Sequence, residues 1–255
     1  MQKYFEIHAP GHNVRCKLYF QDPKALAAAD RAVIFCTGFA GHKDNNAAKV
    51  FAEKLISKHR DALVIVFDWP SHGDDVKKKV SLEDCMTYLE LVVRDTETQF
   101  GITERYAYAT SFGGYLVLKY ISERGDPFRK IALRCPAVDM HEVLTGTIMK
   151  GDEFERIRKG KDVQVGFDRK ITVTGEFLDS LASSDIRKRD FLEWAEDILI
   201  IHGTADEVVP FESSRSFADE QLMEFFPVEG ADHRFQNPTH MSLANKAAMQ
   251  WFGLG

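Results

Sequence analysis

Three residues, each in a loop that follows an apolar run, could together carry out base-assisted nucleophilic attack: Ser111, Asp206 and His233. Ala109-Thr110-Ser111-Phe112-Gly113-Gly114 comes after the apolar run at 106–109 and before a stretch with helical spacing. A sharp strand-to-helix turn at this point would present the serine hydroxyl at the end of a sheet. It needs small residues two before and two after the serine, so that neighbouring backbone can pass closely. Ala109 and Gly113 occupy those positions, with Ala109 carrying one methyl group more than the usual glycine. A serine hydroxyl is a poor nucleophile until a base takes its proton. His233 sits in Glu229-Gly230-Ala231-Asp232-His233-Arg234-Phe235, a glycine-bearing loop and not an apolar face, so it suits a base better than a core histidine. Asp206 sits in His202-Gly203-Thr204-Ala205-Asp206, just past another apolar run, where a carboxylate reaches the same sheet edge and can orient the ring. The plainer alternatives are a helix cap for Asp206 and an exposed loop residue for His233.

These loops need a scaffold that brings their ends together, and the pattern of the chain supplies one. Apolar runs at 32–36, 63–67, 106–109, 131–133, 198–201 and 224–228 read as strands. Amphipathic stretches near 47–59, 82–98, 115–123, 212–219 and 240–252 read as helices, the second capped by Ser81 with Asp84 three residues on. Continuous apolar strands that alternate with helices imply a parallel sheet covered on both faces. An opening hairpin, 4–7 with 14–20 through Ala9-Pro10-Gly11-His12-Asn13, adds an antiparallel edge. The fold class expected is α/β, a doubly wound and mostly parallel sheet. Between 138 and 190 the rhythm breaks: charges cluster at 153–161, and Val163, Val165 and Phe167, then Ile171 and Val173, alternate with polar residues. That reads as a small hairpin within a cap or lid insertion over 138–190, with 1–137 and 191–255 as the core.

Composition excludes several functions. A net charge of −6, with Lys77-Lys78-Lys79 as the single tight basic run, argues against a nucleic-acid binder and against a membrane-seeking face. The start, Met1-Gln2-Lys3-Tyr4-Phe5-Glu6, lacks the apolar stretch of a signal peptide, and no apolar run approaches membrane-spanning length. Cys16, Cys36, Cys85 and Cys135 form no Cys-x-x-Cys pair and read as reduced structural thiols, so a cytoplasmic location is expected. Asp68-Trp69-Pro70-Ser71-His72-Gly73-Asp74-Asp75 sets hard ligands side by side, but no second histidine stands at ligand spacing. Neither a metal nor another cofactor is expected.

From about residue 30 to its end the sequence resembles an α/β-hydrolase. The resemblance rests on the serine turn, on His202-Gly203-x-x-Asp206-x-x-Val209-Pro210 and on Gly230-x-Asp232-His233. The short insertion, between strands 6 and 7 of the family numbering, is similar to that of the cinnamoyl/feruloyl esterase-like group. The resemblance implies a serine nucleophile at Ser111, a base at His233 and an orienting acid at Asp206, with Asp139 as the alternative acid position, while Glu207 is an alternative because it adjoins Asp206. It also implies an oxyanion hole built from the backbone N–H groups of Phe112 and Phe39. Phe39 belongs to Thr37-Gly38-Phe39-Ala40-Gly41-His42, where the family shows His-Gly-Phe-x-Gly, so Thr37 replaces a structural histidine. The 68–73 segment matches the family's Asp-x-x-Gly-x-Gly loop, with Ser71 for a glycine, and is expected to be structural. His42, Phe154, Phe167 and Phe177 are expected to touch substrate. The activity implied is hydrolysis of carboxylic esters of small or aromatic acyl groups through an acyl-enzyme, the partner being a small-molecule ester. Thioester or amide hydrolysis, peptide cleavage and acyl transfer stay open on the same residues, as does a non-catalytic ligand sensor on the same fold.

Overall fold

The computed structural model describes residues 1–255. Ten strands form: β1 (Gln2–Ala9), β2 (His12–Tyr19), β3 (Arg31–Cys36), β4 (Ala62–Phe67), β5 (Glu104–Thr110), β6 (Lys130–Arg134), β7 (Val163–Val165), β8 (Ile171–Val173), β9 (Ile198–Gly203) and β10 (Glu224–Val228). Eight of them make one sheet in the order β1-β2-β4-β3-β5-β6-β9-β10, and β7 pairs with β8 alone. From β4 to β10 every pairing is parallel, whereas β1 and β2 are antiparallel to each other and β2 is antiparallel to β4. The opening connection is tighter than the five residues expected. Ala9 pairs with His12, leaving Pro10 and Gly11 as the turn, with Gly11 at the positive φ of 75° that such a turn requires.

Alternate residues of the central strands feed two separate cores, as the two-residue period of a strand demands. Ile34 and Cys36 of β3 join a larger cluster with Ile65 and Phe67 of β4, while Val33, Phe35, Val64 and Val66 join a smaller one on the other face. Nine helices cover these faces: α1 (Pro23–Ala28), α2 (Asn46–Lys58), α3 (Leu82–Thr98), α4 (Phe112–Arg124), α5 (Met140–Glu142), α6 (Glu153–Arg158), α7 (Gly175–Ser183), α8 (Phe211–Gln221) and α9 (Pro238–Trp251). The buried faces of α3, α4 and α7 belong to the larger cluster, and those of α2 and α9 to the smaller. Ser81 caps α3 by accepting from the Asp84 N–H. Asn237 caps α9, whose first residue is Pro238.

The chain between β6 and β9 holds α5, which runs on into a π-wound Val143–Ile148, then α6, the β7–β8 hairpin and α7. Its apolar residues, among them Val143, Val163, Val173 and Phe177, are continuous with the larger core cluster. All four cysteines are free and buried. No helix is long and apolar enough to cross a membrane.

Candidate active site

Ser111 stands where β5 ends and α4 begins, with φ 52° and ψ −118°. A non-glycine residue holds such a conformation only when its surroundings force it. Here its N–H donates to the Arg134 carbonyl at 3.0 Å, and its own carbonyl accepts from Tyr115 at 3.1 Å and Ala137 at 3.2 Å. The glycines around it make room. A Cβ on Gly113 would stand 2.5 Å from the Cys36 carbonyl oxygen and 2.6 Å from that of Thr37. One on Gly38 would stand 3.1 Å from the Ser111 Cβ.

His233 lies in the loop between β10 and α9, and Asp206 in the loop after β9. Their side chains meet, His233 Nδ1 to Asp206 Oδ2, at 2.8 Å. The other carboxylate oxygen of Asp206 accepts from the Val208 and Val209 N–H groups, each at 2.8 Å. His202 Nε2 also approaches Asp206 Oδ2, at 3.2 Å, and its ring is wholly buried. Burial alone would raise the Asp206 carboxyl, but hydrogen bonds from His202, His233 and Val209 outweigh it and hold the carboxyl well below the usual range. An ionised Asp206 facing Nδ1 places the ring proton there, which leaves Nε2 of His233 as an acceptor.

The other acids are engaged elsewhere. Asp139 accepts from Ser213 Oγ at 2.9 Å, Glu207 accepts from the His233 backbone N–H at 3.3 Å, and Asp232 accepts from Gln236 N at 3.0 Å. Asp232 precedes His233 directly, so its side chain leaves in another direction.

Beside the serine turn, Gly38–Gly41 forms a tight bend closed by Gly41 N–H to Gly38 O at 2.9 Å, with Ala40 at φ 61°. The loop is held although the family's histidine is missing: Trp69 Nε1 donates to the Thr37 carbonyl at 2.8 Å. The Phe39 N–H donates to no acceptor in the protein, and Phe112 opens α4, where the first N–H groups have no partner within the helix. The Phe39 ring meets those of Phe112 and His72 edge-on, at 5.8 and 5.6 Å.

The acids of the 68–75 segment, where a metal site was weighed, are engaged within the protein. Lys43 donates its backbone N–H to Asp68 Oδ1 at 2.7 Å and its Nζ to Asp68 Oδ2 at 3.0 Å, and Nζ also reaches Asp74. Asp75 accepts from Ser71 N and Lys77 N and from the Tyr88 hydroxyl. His72 is fully buried with Nδ1 2.8 Å from the Pro70 carbonyl, and burial pushes its pKa down to about 4. Elsewhere, Cys135, His202 and Asp206 offer ligand atoms within 4.8 Å of one another. Asp206 already spends both oxygens on main-chain N–H groups and histidines, and burial pushes the Cys135 thiol up, so this trio suits no cation.

Ser111 and His233 line one cleft of about 590 Å³. His42 and Phe167, both expected near substrate, also line it, and burial together with Arg169 lowers the His42 pKa. Phe154 and Phe177 do not line it. Phe177 is buried edge-on against Phe112 at 6.2 Å, because the apolar face of α7 packs into the core, while Phe154 is partly exposed on α6. The Phe112 ring is fully buried as well, so only its backbone can serve the cleft. Arg134, Arg169 and Arg234 line the cleft and were not singled out by the sequence.

Residues 67–253 match the prolyl oligopeptidase family. The chain belongs to that family. It is therefore a serine hydrolase on an α/β-hydrolase scaffold. Prolyl oligopeptidase membership agrees with the fold of solved structures that cover nearly the whole chain. Est1E from Butyrivibrio proteoclasticus, solved with ferulic acid bound, superposes with a TM-score of 0.77 at 20% identity over 97% of both chains. Alpha/beta hydrolase domain-containing protein 10 from mouse gives 0.70 at 14% over 98% of both. A monoacylglycerol lipase from Paleococcus ferrophilus gives 0.67 at 18%, over 95% of this chain and 99% of that one. Identities this low establish the shared fold. Among curated proteins none matches the chain.

Proposed function

We propose that the chain hydrolyses carboxylic esters of small-molecule substrates through an acyl-enzyme, with Ser111 as nucleophile, His233 as base and Asp206 as the group that orients and charges the base. The observation that supports this most is that the strained Ser111 and the Asp206-bound His233 face one cleft, with His233 offering its free Nε2. In the first half, Nε2 takes the Ser111 proton as Oγ bonds to the substrate carbonyl carbon. Negative charge passes to the carbonyl oxygen, and the N–H groups of Phe39 and Phe112 receive it. The imidazolium, stabilised by ionised Asp206, gives its proton to the leaving alcohol as the ester C–O bond breaks. In the second half, water loses a proton to Nε2 and attacks the acyl carbon, and Ser111 leaves with that proton. The segment 138–190 acts as the cap, since it contributes Ile148, Phe167, Asp168 and Arg169 to the cleft.

Steady-state turnover of a 4-nitrophenyl ester panel by wild type, Ser111→Ala and His233→Ala tests this. Wild-type turnover that both substitutions remove is expected, and turnover that survives Ser111→Ala contradicts it. Cleavage of a peptide or amide by the same residues is the second reading, favoured by the family match. Matched anilides and esters separate the two, with ester turnover expected to dominate.

A further inference from the structure

The cleft shared by Ser111 and His233 is lined in part by an arginine whose guanidinium has no anion to pair with. Arg134 ends β6, beside Thr110 of β5, and is one of the residues that line the cleft although it is only 6% exposed. Nη1 points at the Met241 thioether at 3.0 Å, the guanidinium carbon stands 5.2 Å from the centre of the Phe235 ring, and Nε has no hydrogen-bond partner. The Tyr108 hydroxyl, whose pKa burial raises and Arg134 lowers, is another polar neighbour. None of these groups is an anion, and no carboxylate lies within ion-pair distance of Arg134.

A buried cation is costly without a counter-charge, and arginine cannot shed its proton to avoid that cost. The fold therefore keeps a fixed positive charge beside the nucleophile. The remaining cleft charges do not neutralise it. Asp44 is taken by Lys17 at 2.8 Å and approached by Lys43 at 3.4 Å, and Asp168 is taken by Arg234 at 2.8 Å. Glu207, behind the His233 loop, accepts the His233 N–H. Arg169, at the exposed rim of the cleft, forms no salt bridge either. A chain of net charge −6 thus presents two acid-free arginines around its serine.

We infer that the substrate carries a carboxylate in addition to the bond that is cleaved, and that Arg134 receives it, with Arg169 assisting at the rim. An arginine fork pairs with a planar carboxylate through two parallel hydrogen bonds, and the partly enclosed site strengthens them. This assignment rests on the ester-hydrolase reading and narrows its substrate class to esters whose acyl or alcohol half is anionic.

Two matched pairs test it. The mono-4-nitrophenyl ester of adipate against 4-nitrophenyl hexanoate places the charge on the acyl side. The butyrate ester of 4-hydroxybenzoate against that of 4-hydroxybenzamide places it on the alcohol side. For each pair the quantity read is the anionic-to-neutral ratio of kcat/KM, each rate being normalised to its hydroxide-catalysed rate. A ratio of at least about tenfold is expected in one pair for wild type, falling toward about one in Arg134→Gln and retained in part by Arg134→Lys. Arg169→Gln, at an exposed position, lowers the same ratio without risk to folding. If Arg134 merely supported the Phe235 loop, its substitution would lower both members together and leave the ratio unmoved, which overturns the inference. Ratios near one in both pairs for wild type overturn it as well, while the ester reading stands. Turnover of none of the four esters removes the ester reading, and this inference with it.

Discussion

At the residue scale, the proposed chemistry depends on which nitrogen of His233 carries the proton, and Asp206 decides that. Asp206→Asn keeps the shape but replaces an anion by an amide that cannot stabilise an imidazolium. A fall in kcat of about 10³–10⁴-fold is expected, read by ester turnover with folding checked by circular dichroism. A second residue-scale expectation concerns His72, buried and neutral between Phe39 and Phe112. Its folded pKa, about 4, lies below the ordinary 6.5, so the unfolded chain binds a proton that the folded chain refuses. The stability it contributes is whole above pH 6.5 and is lost as the pH falls toward 4. Between pH 7 and pH 5 this amounts to about 2 kcal/mol. Urea midpoints at the two pH values should differ less in His72→Phe than in wild type. The loops around Ser111, Asp206 and His233 could be read from sequence because small residues and turn formers surround them. Arg134 could not: a lone charge at the end of an apolar run reads as the end of a strand, and nothing local shows that its carboxylate partner is missing.

At the element scale, two loops are set by contacts between distant segments. Lys43 neutralises Asp68, whose carboxylate is wholly buried and also accepts from Asp74 N at 2.9 Å. Lys43→Met leaves that charge unpaired, and a loss of about 3–5 kcal/mol is expected by chemical denaturation. Gly113→Ala would press a methyl group against the Cys36 and Thr37 carbonyls. It should cost about 1–3 kcal/mol and also reduce fluorophosphonate labelling, because the serine turn moves with it. The sequence showed the need for a small residue at 113 but not what it approaches. It also missed α1, where Asp22 accepts from Lys24 N and Ala25 N with Pro23 at the first position, because six residues are too few to show a helical period. β5 begins two residues before its apolar run because Glu104 and Arg105 satisfy their charges on neighbours, Glu104 with Tyr106 and Arg129 and Arg105 with Thr96 and Glu97.

At the scale of the whole molecule, parallel strands place their C-terminal ends along one edge, and the loops after β3, β5, β9 and β10 meet there. Apolar runs were enough to read the central strands and their parallel sheet, since each is buried on both faces, but not which strand lies beside which. Which parts of 138–190 reach the cleft was not legible, because Phe154, Phe167 and Phe177 look alike in sequence and only packing separates them. The hairpin turn touches the His233 loop through Arg234 and Asp168, an exposed pair at 2.8 Å. Asp168→Ala should change stability by less than about 1 kcal/mol in a thermal melt, as screened surface pairs do. The central claim is that this architecture activates one serine. It is tested most directly by treating the protein with a fluorophosphonate and locating the adduct by peptide mass spectrometry. Stoichiometric modification of Ser111, abolished in His233→Ala, is the expected result. A folded protein that takes up no label, or takes it up at another residue, would contradict the account.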